Sequence, residues 1–141
     1  MEKSLSLCLL LVATVCPERA ICAQALSIYR AAEIQTQVRQ QGSGHAAEAD
    51  IETYLSSDRK FETGIYRSGP IHETLGGPDG YPNHESFQLL SGEITMTSSN
   101  GTPIVLKPGD SVTIPQGWTG RFESEGYVKM YNIYYPSGMP N

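Results

Sequence analysis

Beyond its first 25 residues the sequence contains no cysteine, because Cys8, Cys16 and Cys22 are its only three. No disulfide, thiolate nucleophile or cysteine metal site is available to the rest of the chain. Basic residues are few and scattered, 10 against 15 acidic ones, for a formal net charge of −5. Without a Lys/Arg run there is no electrostatic footprint for nucleic acid. No apolar run reaches the ~20 residues that a bilayer-spanning helix needs. Histidine is limited to His45, His72 and His84.

What is present begins with an export pattern. Lys3 supplies a positive start, Leu5 to Val15 an apolar core, and Ala23-Gln24-Ala25 a small-x-small cleavage site. Residues 1–25 therefore read as a signal peptide. The protein is expected in the periplasm or secreted, with no membrane association after cleavage. Residues 26–57 read as an N-terminal arm. Helix formers dominate 26–41, Gly42-Ser43-Gly44 breaks the pattern, and "AAEADIETYL" predicts one or two further helical turns. A linker is the alternative for the middle of the arm.

Residues 58–141 differ in kind. Short runs rich in β-branched and aromatic residues alternate with Gly, Pro, Asn and Asp: "FETGIYRS", "IHETL", "ESFQLLS", "EITMTSS", "TPIVLK", "SVTIP", "WTGRFES" and "YVKMYNIYY". Strands at this spacing predict an all-β sandwich or barrel. Asn100-Gly101 marks a hairpin turn in which both residues tolerate positive φ. Asn100-Gly101-Thr102 is also a formal glycosylation sequon. "KPGD" at 107–110 predicts a second tight turn.

Glu85 with Gly92, the Asn-Gly hairpin, "PGD" at 108–110, "IPQGW" at 114–118 and "GYVKMYNIYY" at 126–135 occur in the order found in the cupin superfamily. The chain resembles that superfamily, and within it the ureidoglycine aminohydrolase-type branch. The resemblance implies a double-stranded β-helix, or jelly-roll, barrel, usually a homodimer, with a central pocket. It also implies a divalent metal such as Mn held by three histidines and a glutamate. Of those positions only Glu85 carries the expected residue. The first-motif pair falls on Asp79 and Tyr81, or on Pro78 and Gly80, and the last histidine position is Gly120. His72 and His84 are the remaining metal-ligand candidates beside Glu85. One carboxylate alone does not hold a transition metal, so the expectation is a pocket without a cofactor.

Strand parity proposes the pocket's lining. Glu85, Phe87 and Leu89 share one face of their strand, and Lys129, Tyr131 and Ile133 share one face of theirs. If Gly120 points inward, Trp118 and Phe122 do too. A buried carboxylate needs a proton or a cation, and Lys129 and Arg67 are the candidates. Glu85, Phe87, Trp118, Phe122, Lys129, Tyr131 and Arg67 are thus the candidate ligand-binding residues, for a small organic molecule carrying an amine or hydroxyl. An ion pair that only closes the barrel is the structural alternative. Three functions follow: a metal-independent small-ligand binder, a metal-dependent hydrolase with rearranged ligands, or a non-catalytic dimeric scaffold.

Overall fold

The computed structural model of the chain describes residues 26–30, 32–34 and 48–140. The signal expected over 1–25 and half of the helix expected over 26–41 lie outside the described residues, and residues 26–30 are not helical. Residues 32–34 form one helical turn. Among the described residues no helix is long and apolar enough to cross a membrane.

From Ala49 onward the described chain is built of strands: β1 (Ala49–Leu55), β2 (Phe61–Ser68), β3 (Ile71–Leu75), β4 (His84–Gly92), β5 (Ile94–Ser98), β6 (Ile104–Leu106), β7 (Ser111–Ile114), β8 (Gly120–Ser124) and β9 (Tyr127–Tyr134). They form a five-stranded sheet ordered β1-β2-β9-β4-β7 and a four-stranded sheet ordered β3-β8-β5-β6. Every pairing is antiparallel. This is the jelly roll that the strand spacing and the cupin resemblance imply.

The further helical turns expected in "AAEADIETYL" are instead β1. Ala49 and Ile51 are buried while Asp50 and Glu52 are exposed, a period of two that suits a strand. Pairing with β2 satisfies its backbone along one edge, and this tertiary context overrides the helix preference of Ala and Glu. The Asn100-Gly101 turn does join β5 to β6, but without the positive φ that was expected. The Gly101 amide donates to the Ser98 carbonyl at 2.9 Å, and neither Asn100 nor Gly101 has positive φ. At "KPGD" the expected chemistry holds: Gly109 has φ +97° and the Asp110 amide donates to the Lys107 carbonyl at 2.9 Å.

The core lies between the sheets. Phe87 and Leu89 from β4 and Ile94 from β5 are almost wholly buried, and Met96, Phe122 and Tyr131 join the same cluster. Each such side chain contributes about 1.5–3 kcal/mol of hydrophobic stabilisation. β9 runs through the middle of the larger sheet, flanked by β2 and β4. Gly64 on β2 lies opposite Tyr131, and a β-carbon there would collide with the Tyr131 ring. The glycine makes room for that ring.

Candidate functional site

β9 supplies the site's cation. Period-two alternation puts Tyr127, Lys129, Tyr131 and Ile133 on its inner face. Lys129 stands between Tyr66 on β2 and Leu89 on β4. Its ammonium donates to Glu85 Oε1 at 2.5 Å. The two side chains are 13% and 3% exposed, so the pair is almost fully desolvated. Four aromatic rings surround the same ammonium, with centroids at 5.0 Å for Phe87, 5.5 Å for Tyr66, and 5.9 Å for both Tyr127 and Tyr131. Ring faces partly replace the lost hydration of the ammonium, by up to about 2 kcal/mol per desolvated contact.

Glu85 has a second partner. The Tyr81 hydroxyl donates to Oε2 at 2.5 Å. Tyr81 belongs to no strand and is fixed by its backbone instead. Its amide donates to the Trp118 carbonyl at 2.7 Å, and its carbonyl accepts from the Gly117 amide at 2.8 Å. Burial, with the Glu85 carboxylate beside it, pushes the Tyr81 phenol far above its usual range. It therefore stays a hydrogen-bond donor at neutral pH. Tyr81, Glu85 and Lys129 form one continuous chain of donor, acceptor and donor.

A second cluster lies beside the first. The Tyr131 hydroxyl stands 2.8 Å from both Asp50 Oδ1 and Glu62 Oε1, and the Tyr135 hydroxyl donates to Glu62 Oε2 at 2.6 Å. One phenol has one hydrogen to give, so serving both acids requires a further proton on a carboxyl. Asp50 is exposed as a whole residue, but partial desolvation of its carboxyl, helped by the neighbouring Glu62 charge, raises it above the ordinary carboxylate value despite the bond from Tyr131 and the attraction of Lys129.

Two cavities meet at the chain. An apolar one of about 140 Å³ is lined by Ile71, Leu75, Ile114, Phe122 and Tyr127 together with Tyr81, Glu85 and Lys129. A mixed one of about 250 Å³ is lined by Asp50, Glu62, Tyr66, Tyr131, Ile133, Tyr135 and Met139 with the same three residues, Tyr81, Glu85 and Lys129. Two larger depressions lie on the exterior, one around His72 and Glu123, the other around Tyr54 and Met130; neither borders Glu85.

Of the residues proposed from sequence, the structure brings together Glu85, Phe87, Phe122, Lys129 and Tyr131. Arg67 is not among them. Its register partners are Ala49 and Val128, which puts it on the sheet's outer face, opposite to Tyr66 and Lys129. Trp118 lines neither cavity. Its indole Nε1 donates to Ser98 Oγ at 2.9 Å, and only its main chain serves the site, through Tyr81. His84 is outward, near the Tyr134 ring and accepting from the Gln116 amide at 3.4 Å. The His72 side chain is 61% exposed and sits by Glu123 and Glu125. Sequence reasoning passed over Asp50, Glu62 and Tyr66, and named Tyr81 only as a first-motif position that lacks its histidine. The signal for Glu62 and Tyr66 was their shared parity with Gly64, readable once β2 is known to pair with β9.

The donor set does not fit the divalent metal that the cupin resemblance implies. Both Glu85 oxygens are engaged, one by an ammonium, and neither His72 nor His84 reaches the carboxylate. Among the described residues, no group of three or more His, Cys, Asp or Glu side chains could hold a metal ion. Gly120, at the last ligand position, is closed to any side chain, because a β-carbon there would meet the Thr97 carbonyl and the Trp118 ring.

The sequence profile of the EutQ-like cupin domain matches residues 56–131, just over half of the chain. No curated protein matches the sequence. Among solved structures, the fold is similar to that of a protein of unknown function from Rhizobium leguminosarum bv. viciae, with 19% identity and a TM-score of 0.59 over 79% of this chain and 99% of that one. It is also similar to the Clostridium difficile EutQ protein, with 11% identity and a TM-score of 0.53 over 73% of each chain. The chain belongs to the EutQ-like cupin domain family.

Proposed function

We propose that the barrel binds a small organic ligand through an oxygen acceptor, in the apolar cavity beside Lys129 and without metal chemistry. One observation carries this reading. Lys129 has three N–H donors, and among the described residues Glu85 is the one acceptor bonded to it, while the ammonium borders both cavities. A hydroxyl, amide or carbonyl oxygen of a ligand would complete its hydrogen bonding. An amine suits the site less than the sequence suggested, because Lys129 and Tyr81 already occupy both Glu85 oxygens. The apolar cavity is close in size to the ~150 Å³ engineered cavity that takes up benzene, which sets the scale of the ligand.

The proposal extends to location and assembly. The signal-like pattern of residues 1–25 supports export to the periplasm or medium. Phe61, Met130 and Tyr134, exposed together on the outer face of the five-stranded sheet, support a homodimer. Neither the hydrolase nor the scaffold reading has an observation of its own in its favour.

The test is a thermal-shift and calorimetric screen of short alcohols, amides, carboxylates and amines of matched size. Oxygen-acceptor compounds should raise the melting temperature of the wild type and leave that of Lys129→Met unchanged. Leu75→Phe, which fills the apolar cavity from its rim, should fold normally and lose the response. Silence from the whole panel on the wild type would leave a structural barrel as the better account.

A further inference from the structure

Lys129 is more than a hydrogen-bond donor. It is a primary amine almost enclosed by aromatic rings, open to a cavity of small-molecule size, and 2.5 Å from a carboxylate. Lysines that form covalent imines with carbonyl compounds have these features: a desolvated amine, a group to take its proton, and a donor that fixes that group. Glu85 Oε1 stands at the distance for direct proton transfer, and the Tyr81 hydroxyl on Oε2 holds the carboxylate in place.

We infer that Lys129 forms a reversible imine with a small, uncharged aldehyde or ketone bound in the apolar cavity. The inference rests on the binding reading above and names the ligand class for the same site.

The step balances without any co-reactant. The ammonium proton passes from Nζ to Glu85, and the freed nitrogen lone pair adds to the carbonyl carbon as the carbon–oxygen π bond becomes an alkoxide. A proton from the nitrogen neutralises that alkoxide, which gives a carbinolamine. Glu85 then returns its proton to the carbinolamine hydroxyl, the carbon–oxygen bond breaks, and water leaves. The product is a protonated imine carrying the same single positive charge as the starting ammonium. No oxidation or reduction occurs. The iminium keeps the place of the ammonium, beside Glu85 and among the rings of Phe87, Tyr66, Tyr127 and Tyr131. The apolar walls, Ile71, Leu75 and Phe122, match a short hydrocarbon substituent and give no partner to a charged one.

The experiment uses butyraldehyde with cyanoborohydride, which reduces an imine to a stable secondary amine, followed by peptide mass mapping of the purified chain. Lys60 and Lys107 serve as controls within the same molecule. Lys129 should be labelled about tenfold faster than either, as expected when binding holds amine and carbonyl together, and its labelling should saturate with aldehyde. Glu85→Gln should slow labelling at Lys129 while leaving Lys60 and Lys107 unchanged, whereas a purely structural loosening at Glu85 would expose Lys129 and speed its labelling. Labelling that follows exposure, with Lys107 ahead of Lys129, would overturn the inference. Butanol, which cannot form an imine, separates the two readings in a parallel calorimetric titration. Butanol binding without a Lys129 adduct sinks the imine and leaves the pocket. A Lys129 adduct without butanol binding supports the imine and removes simple hydrogen-bonded binding. Neither signal overturns both.

Discussion

The two sheets bring different chemistry to the same interior. The five-stranded sheet turns Glu62, Glu85, Lys129, Tyr127 and Tyr131 inward beside the apolar Phe87, Leu89 and Ile114. The buried inward side chains of the four-stranded sheet are Ile94, Met96, Leu106, Phe122 and Ser124. Polarity therefore changes across the width of the barrel, and the Tyr81–Glu85–Lys129 chain lies at the boundary. One sheet resembles a site and the other a wall. The difference suggests that the larger sheet gives up stability for chemistry, since a buried ion pair rarely outperforms well-packed apolar residues of similar size.

That contrast can be broken from the polar side first. Lys129→Met or Glu85→Gln alone leaves one member of a desolvated pair without its partner and should cost about 3–5 kcal/mol in urea unfolding. The double replacement Glu85→Leu with Lys129→Met should recover most of that loss. If each single change costs no more than a surface substitution, the pair is not desolvated and the contrast between the sheets fails. Substitutions of modest size sharpen it next. Gly64→Ala drives a methyl group into the Tyr131 ring and should cost about 1–3 kcal/mol, whereas Met96→Leu in the apolar wall should cost less than about 1.5 kcal/mol.

The last effect, negligible at neutral pH, emerges in alkali. Burial is the first cause that raises Tyr81, Tyr127, Tyr131 and Tyr135 above the ordinary phenol value of 10.0. Above that pH the folded chain keeps phenol protons that the unfolded chain has released, so stability present below about pH 10 is lost as pH rises. Each retained proton contributes a slope of about 1.4 kcal/mol per pH unit. Phenolate absorbance from these four residues should thus appear together with unfolding. Its appearance in the folded protein near pH 10 would contradict their burial.

Much of this architecture is legible in the amino-acid sequence. The runs "FETGIYRS" and "IHETL" match β2 and β3 end to end. Parity along β4 and β9 alone puts Glu85 and Lys129 on inward positions, although their register partners are Ile133 and Leu89. On β2 parity fails for a physical reason. Ile65 is buried on the outer face while Glu62, Gly64 and Ser68 are buried on the inner one, so the burial pattern does not alternate cleanly and parity does not separate Arg67 from Tyr66. Trp118 was misplaced because β8 begins only at Gly120, and strand parity does not extend into the turn before it. Tyr81 had no local signal at all. It is positioned by backbone bonds to Gly117 and Trp118, far along the chain, which only the folded barrel brings near.

The indole over Gly120 has a consequence for how this sequence can drift. With the Thr97 carbonyl on one side and the Trp118 ring on the other, position 120 admits no first mutation by itself. A smaller residue at 118 would forfeit the bond from the indole to Ser98 and still leave the Thr97 carbonyl, a backbone atom, in the way. Position 120 is thus held to glycine whatever stands at 118, however the pocket is otherwise remodelled.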